Sequence, residues 1–167
     1  MSENLPRIES VAVPSGMILR IRWRGVRAAD TVDLTGWVAT GGDVLAPLRD
    51  PSVFARARVE NYGAAIAWDD GDLAIDAFHL KQIADEQKPF GPGDARRWQE
   101  QTELSNNEAA TLIGVSLSAW NAYKAGASIP KPVAMLCRAI LRDPVMMQAH
   151  LRPRIPGRPR GKSSPAA

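Results

Sequence analysis

Residues 104–126, LSNNEAATLIGVSLSAWNAYKAG, constrain the fold of this chain more than any other segment. Ser105 followed by Glu108 is a capping box, in which each side chain can bond the backbone amide of the other residue, and it predicts the start of a helix. Gly114 can take the left-handed conformation that ends a helix sharply. Ser116 is a second N-cap, so the pattern predicts two short helices joined by a tight turn, a helix-turn-helix.

The apolar residues of this segment fall on one face of each predicted helix. The first helix, residues 106–113, directs four of them toward a core: Ala109, Ala110, Leu112 and Ile113. The second helix, residues 117–125, has Trp120 and Tyr123 on one face, and this pattern favours a core position for both over contact with a ligand. Gly126 then ends the second helix.

The segment resembles the DNA-binding domain of Xre-type, lambda-repressor-like proteins. The match has no gap, and its framework positions are Leu104, Ser105, Ala110, Ile113, Gly114, Val115, Ser116, Trp120, Tyr123 and Gly126. A first helix over 94–103, another over 132–142 and a last one opened by Asp143-Pro144 extend the resemblance to about residues 92–150. It implies an all-α domain of five helices.

The resemblance also implies which residues meet DNA, because that family places the second helix of the motif in the major groove. The base-facing candidates on it are Leu117, Ser118, Ala119, Asn121 and Ala122, beside the N-cap residue Ser116. Asn106 and Asn107 would meet a phosphate at the positive end of the preceding helix. Lys124 and Lys131 would add phosphate contacts. The sequence departs from the family pattern at Asn106, where Gln is common, and at Lys124, where Glu is common.

Charge is distributed unevenly along the 167 residues. Residues 1–85 contain nine Lys or Arg and twelve Asp or Glu, whereas residues 86–167 contain twelve Lys or Arg and six Asp or Glu. The basic half is therefore the candidate for binding a polyanion. Residues 86–150 alone, however, carry a net charge of only +1. Related helical bundles have lost DNA binding and use the exposed face of the second helix of the motif for protein contact.

Two functions from different classes follow from this segment. We predict a sequence-specific DNA-binding transcriptional regulator that binds double-stranded DNA as a homodimer, with modest specificity for each half-site. The alternative is an antitoxin-like or adaptor protein whose main role is to bind a protein partner.

The basic tail, residues 152–167, is rich in Pro, Gly and Arg and is expected to be disordered on its own. Gly157-Arg158-Pro159 is similar to an AT-hook, which lies extended in a narrow A·T minor groove. The residues that would contact DNA are Arg154, Arg158, Arg160 and Lys162. Non-specific attraction to phosphates and a purely solubilising role are the alternatives.

The first half of the chain reads as strands with short helices. In residues 17–24, MILRIRWR, one face has Met17, Leu19, Ile21 and Trp23 and the other has Arg20, Arg22 and Arg24, which predicts a half-buried strand. It is expected to pair with residues 10–13 across the turn at Pro14-Ser15-Gly16, and a third strand follows near residues 29–34. The further predictions are a hairpin of residues 56–62 and 64–68 and helices over 34–39 and 76–87.

KPFGPG, residues 88–93, breaks any helix and is predicted to link two domains. The fold class is therefore α+β, with a small antiparallel-sheet domain over residues 1–87 and a helix-turn-helix domain over residues 94–151. The first domain resembles a small bacterial domain of unknown function, through Trp68, Asp69–Asp72, Asp76 and Leu80. We expect it to serve in dimerisation or in binding a partner.

No set of residues in the chain points to catalysis, and we expect neither enzymatic activity nor a cofactor. Asp69, Asp70, Asp72 and Asp76 are close in sequence, but turn positions and a helix N-cap explain them better than a metal site. Cys137 lies on an apolar helical face, which favours a core position. The absence of a secretory signal and of any run of roughly 20 apolar residues predicts a cytoplasmic protein without a membrane span.

Overall fold

The computed structural model describes residues 5–153, and the chain divides between Lys88 and Pro89 into two compact units. We call residues 5–88 the sheet unit and residues 89–153 the helical unit. The predicted α+β class, with sheets in the first part and helices in the second, is confirmed. The first helix of the helical unit begins at Pro92, inside the segment predicted as a linker.

The first sheet has three antiparallel strands in the order β1-β2-β3: β1 is Ile8–Ser15, β2 is Ile18–Trp23 and β3 is Ala29–Asp33. The alternation predicted for β2 is confirmed, since Leu19, Ile21 and Trp23 are buried while Arg20 and Arg22 are exposed. The turn of this hairpin was predicted at Pro14-Ser15-Gly16. It lies instead at residues 16–17, and Pro14 and Ser15 belong to strand β1.

The second sheet also has three antiparallel strands, β4 (Arg58–Glu60), β5 (Ala65–Trp68) and β6 (Leu73–Asp76), in chain order. The 3-10 turns Asn61–Gly63 and Asp69–Gly71 connect them. In each turn two residues with positive φ precede a glycine that also has positive φ. The hairpin of β4 and β5 was predicted, whereas β6 was not.

Four α-helices and one 3-10 helix, Ala46–Arg49, complete the described part of the sheet unit. The α-helices are α1 (Thr35–Thr40), α2 (Gly42–Leu45), α3 (Pro51–Phe54) and α4 (Ala77–Gln87). Helices α1 and α4 lie within one residue of the predicted bounds, and α2 and α3 were not predicted. Trp68 is fully buried, and its indole Nε1 donates to the Phe54 carbonyl at 2.8 Å. Its ring packs against those of Trp37 and Phe54, at centroid distances of 6.1 and 5.4 Å.

The helical unit contains α5 (Pro92–Thr102), α6 (Asn106–Ile113), α7 (Leu117–Ala125), α8 (Lys131–Arg142) and α9 (Pro144–His150). Five helices were predicted for this region, and the described residues form five. The rings of Trp98 and Trp120 meet edge to face in the core, with centroids 5.4 Å apart. Within residues 5–153, none of the helices has the length and apolar character that crossing a membrane would require.

Candidate nucleic-acid interface

The turn between α6 and α7 is built from the caps that the sequence predicted. The Ser105 amide donates to Glu108 Oε2 at 2.9 Å, and the Glu108 amide donates to Ser105 Oγ at 3.3 Å. Gly114 has a φ of +81°, and its amide donates to the Ala110 carbonyl at 2.9 Å. Ser116 Oγ then accepts the Ala119 amide at 3.0 Å and starts α7. Residues that are close in the sequence thus end one helix and begin the next.

The inner face of α7 is fixed by aromatic packing. Trp120 is fully buried, and its Nε1 donates to Gln99 Oε1 at 2.9 Å. Tyr123 is half-buried against the same core. The predicted core positions of both rings are confirmed, and the opposite side of α7 is left to face outward.

The outer face of α7, which we call the α7 face, consists of Leu117, Ser118, Asn121 and Ala122. These residues are all exposed, and their spacing places them on one side of the helix. Ala119, also predicted to face a base, is half-buried. The only amide side chain on the α7 face belongs to Asn121, and no charged side chain lies on it.

A polar cluster behind α7, which we call the Gln99 cluster, joins three helices. Gln99 Nε2 donates to the Leu104 carbonyl and to Asn106 Oδ1, both at 2.9 Å. Lys124 Nζ donates to Gln99 Oε1 at 2.8 Å and also to Asn106 Oδ1, while Arg96 donates to the Lys124 carbonyl. Asn106 and Lys124, which were predicted to reach phosphates, are thus hydrogen-bonded to each other within the unit. No feature of the sequence pointed to Gln99.

The two other predicted phosphate contacts lie at helix starts. Asn107 is half-buried in the first turn of α6, and Lys131 is exposed at the first residue of α8, without an ion pair among residues 5–153. The sequence from residue 109 to residue 142 contains no Asp or Glu and four Lys or Arg. No carboxylate from this stretch opposes an anion near α7. The predicted tail contacts, Arg154, Arg158, Arg160 and Lys162, lie outside the described residues.

Asp76 and Asp69, which were considered for metal binding, have structural partners. Asp76 accepts the His79 amide at 2.9 Å as the N-cap of α4, which confirms its predicted role. Asp69 pairs with Arg56 at 2.7 Å in the turn before β6. Burial raises the pKa of the Cys137 thiol to about 12, so this thiol is protonated at neutral pH. Within residues 5–153, no three His, Cys, Asp or Glu side chains are grouped so that they could hold a metal ion.

Comparisons with known proteins give a distant likeness. No family model matches the chain, and no curated protein matches it significantly. Among solved structures, it is similar to the crystal structure of a putative DNA binding protein from Nitrosomonas europaea, at 23% sequence identity and a TM-score of 0.46. The similarity covers 90% of this chain and 94% of that chain. A likeness at this level carries no argument about the function of the chain.

Proposed function

We propose that this chain binds double-stranded DNA through the α7 face and acts as a transcriptional regulator. The observation that carries the proposal is the arrangement of α6 and α7. Helix α7 is tightly capped, and Trp120 on its inner side is buried in the core. Its outer face is exposed, and residues 109–142 contain no carboxylate that would repel DNA there. This is the geometry in which a recognition helix enters the major groove.

The side chains of the α7 face suit base recognition of limited strength. Asn121 can bond the N6 and N7 atoms of an adenine, Ser118 can donate or accept, and Leu117 can contact a thymine methyl group. Each good pairing contributes about 1–3 kcal/mol of discrimination. Because so few groups are available, we propose that a homodimer reads two half-sites about 34–36 Å apart.

We infer that the main role of Lys124 and Asn106 is to position α7. Lys124 Nζ and Asn106 Oδ1 bond within the Gln99 cluster, which ties both side chains to α5. The phosphate contacts then fall to Asn107 and Lys131. Both lie at the amino ends of helices, where free amides and the helix dipole favour an anion.

The proposal is tested by selecting duplexes with the full chain from a random pool. The dissociation constants of a selected and a scrambled duplex are then compared at two salt concentrations. Asn121→Ala should reduce the ratio of the two constants about 5- to 150-fold, while affinity for the scrambled duplex stays unchanged. Gln101→Ala, which removes an exposed amide from α5, is the matched control and should change neither constant.

Lys131→Ala should act differently, since a phosphate contact carries no sequence information. It should weaken both duplexes equally and lower the salt dependence of binding by about 0.9 in slope. A chain that binds no duplex even at low salt would refute the proposal. Capture of a small basic protein by such a chain would favour the antitoxin-like alternative.

A further inference from the structure

Four arginines gather on the outer face of the first sheet, and we call them the arginine face. Arg20 and Arg22 lie on β2 and are exposed, and Arg24 continues the alternation beyond its end. Side chains on one face of a strand repeat about every 6.7 Å, so Arg20 and Arg22 are spaced in this way, and Arg24 extends the row from the turn that follows the strand. Arg27, from the connection to β3, lies beside this row.

The surface between these arginines forms a depression, because the neighbouring strands carry small side chains there. The register places Ser10 and Ala12 of β1 beside Arg22 and Arg20, and Ala29 of β3 lies on the other side of Arg22. Together with Arg20, Arg22 and Arg27, these small residues line an open depression of about 320 Å³. The guanidinium groups that line this depression are therefore accessible to a ligand.

The arginine face has little internal charge compensation. Arg22 pairs with Glu9 at 3.5 Å, and both side chains are more than half exposed. An exposed pair of this kind contributes at most about 1 kcal/mol, so a ligand can displace it. Arg20 and Arg27 form no ion pair within the described part of the chain. Residues 1–85 carry more acidic than basic residues, yet this face is basic.

An exposed tyrosine lies in a turn that contacts one end of the row. Arg24 Nη2 donates to the Tyr62 carbonyl at 3.4 Å, which brings the turn Asn61–Gly63 to the end of the arginine row. Tyr62 is 92% exposed and has a φ of +56°, a conformation that a bulky residue rarely adopts. Its ring has almost no packing role within the sheet unit, so the whole ring is available to a ligand.

We propose that the arginine face and Tyr62 bind single-stranded nucleic acid. The guanidinium groups would each donate hydrogen bonds to a phosphate through their planar N–H geometry, and one base would stack on Tyr62. An acidic peptide would use the arginines but would not account for a fully exposed ring at the end of their row. This site is independent of the α7 face, because that face needs the major groove of a duplex.

The test measures binding of a fluorescent oligo(dT) to the full chain by anisotropy over a range of salt concentrations. Arg20→Ala should lower the salt dependence of binding by about 0.7 in slope, the amount expected when one phosphate contact to a single strand is lost. Arg49→Ala is the matched control, since it removes an exposed arginine elsewhere in the sheet unit and should leave the slope unchanged. Glu9→Gln should tighten binding, because Arg22 no longer has a competing partner.

Substitutions at Tyr62 distinguish base stacking from simple charge attraction, because they leave the charge of the arginine face unchanged. Tyr62→Ala should weaken oligo(dT) binding at least about fivefold, and Tyr62→Trp should retain it. Circular dichroism checks that each variant is folded. The proposal is overturned if Arg20→Ala and Arg49→Ala behave alike, if Tyr62→Ala binds as the parent does, or if poly-glutamate competes as well as oligo(dT). Asn121→Ala should bind oligo(dT) normally, so a failure here is separable from a failure of duplex recognition.

Discussion

Replacing Gln99 with Leu should loosen α7 without touching the α7 face. The substitution keeps the approximate size of the side chain and removes four hydrogen bonds: those to Leu104, Asn106, Trp120 and Lys124. Because Trp120 is fully buried, its indole N–H would lose its acceptor in a site away from water. The effect should therefore exceed that of an ordinary substitution on a helix surface.

The magnitude follows from the burial of each partner. An unsatisfied buried indole N–H costs about 1–3 kcal/mol, and the lost bond to the Leu104 carbonyl costs about 1 kcal/mol. Lys124 is half-buried and Asn106 is exposed, so both can turn to water and add little. The sum is about 2–4 kcal/mol, a large share of the roughly 3–10 kcal/mol expected for a unit of this size.

Amide hydrogen exchange on the full chain is the suitable measurement, since denaturant unfolding of a chain with two units is not a single transition. Protection of amides in α6 and α7 should fall roughly 30- to 1,000-fold in Gln99→Leu. Gln101→Leu, an exposed position on the same helix, should leave protection nearly unchanged. Equal protection in the two variants would refute the structural role assigned to the Gln99 cluster.

Three further outcomes are expected. Gly63→Ala should lower the amide-exchange protection of the sheet unit far more than Gly25→Ala. Its new Cβ would lie 2.3 Å from the Ile8 carbonyl oxygen, whereas Gly25 has a similar φ and open space; equal protection in the two variants would contradict this. At pH 8 a thiol reagent should modify Cys137 much more slowly in the native chain than in urea, since burial raises the pKa of the thiol to about 12. Asp94→Asn should reduce the loss of helix signal on acidification. The hydrogen bond from the Gly91 amide lowers the pKa of Asp94. The ionised carboxylate therefore stabilises α5 above the ordinary pKa of 3.8, and this stabilisation is lost as the pH falls below 3.8. An unchanged acid titration in Asp94→Asn would contradict this reasoning.

The elements that the sequence predicted well are those that local chemistry determines. In α6 and α7, Ser105 and Ser116 each accept an amide three residues ahead, and the Gly114 amide donates to a carbonyl four residues back. The alternation of β2 runs long enough to separate a buried face from a wet one. Strand β6 is only four residues long, and although Leu73 and Ile75 are buried, two apolar positions give too short a pattern to distinguish from the approach to a helix cap.

The Gln99 cluster could not be predicted, because two of the partners of Gln99, Trp120 and Lys124, are far from it in the sequence. Gln99 and Lys124 are separated by 25 residues, and they meet only after α5 and α7 have packed. From the sequence, Lys124 is simply a basic residue at the end of a recognition helix, which favoured a phosphate contact. The proximity of Tyr62 to the arginine face could not be predicted for the same reason, since Arg24 lies 38 residues away from Tyr62 in the sequence.

The two turns of the second sheet have a consequence for how the chain folds. Asn61–Gly63 and Asp69–Gly71 join neighbouring strands through only a few residues, so pairing β4 with β5 and β5 with β6 closes very short loops. The entropy lost in closing such loops is small. Asn, Asp and Gly fill five of the six turn positions and enter the left-handed conformation readily even in an unfolded chain, and Tyr62 is the exception. This three-stranded meander should therefore form early. The strands would then provide the surface on which Trp68 and the later-docking helices assemble, and the nucleus of the sheet unit would lie within residues 58–76.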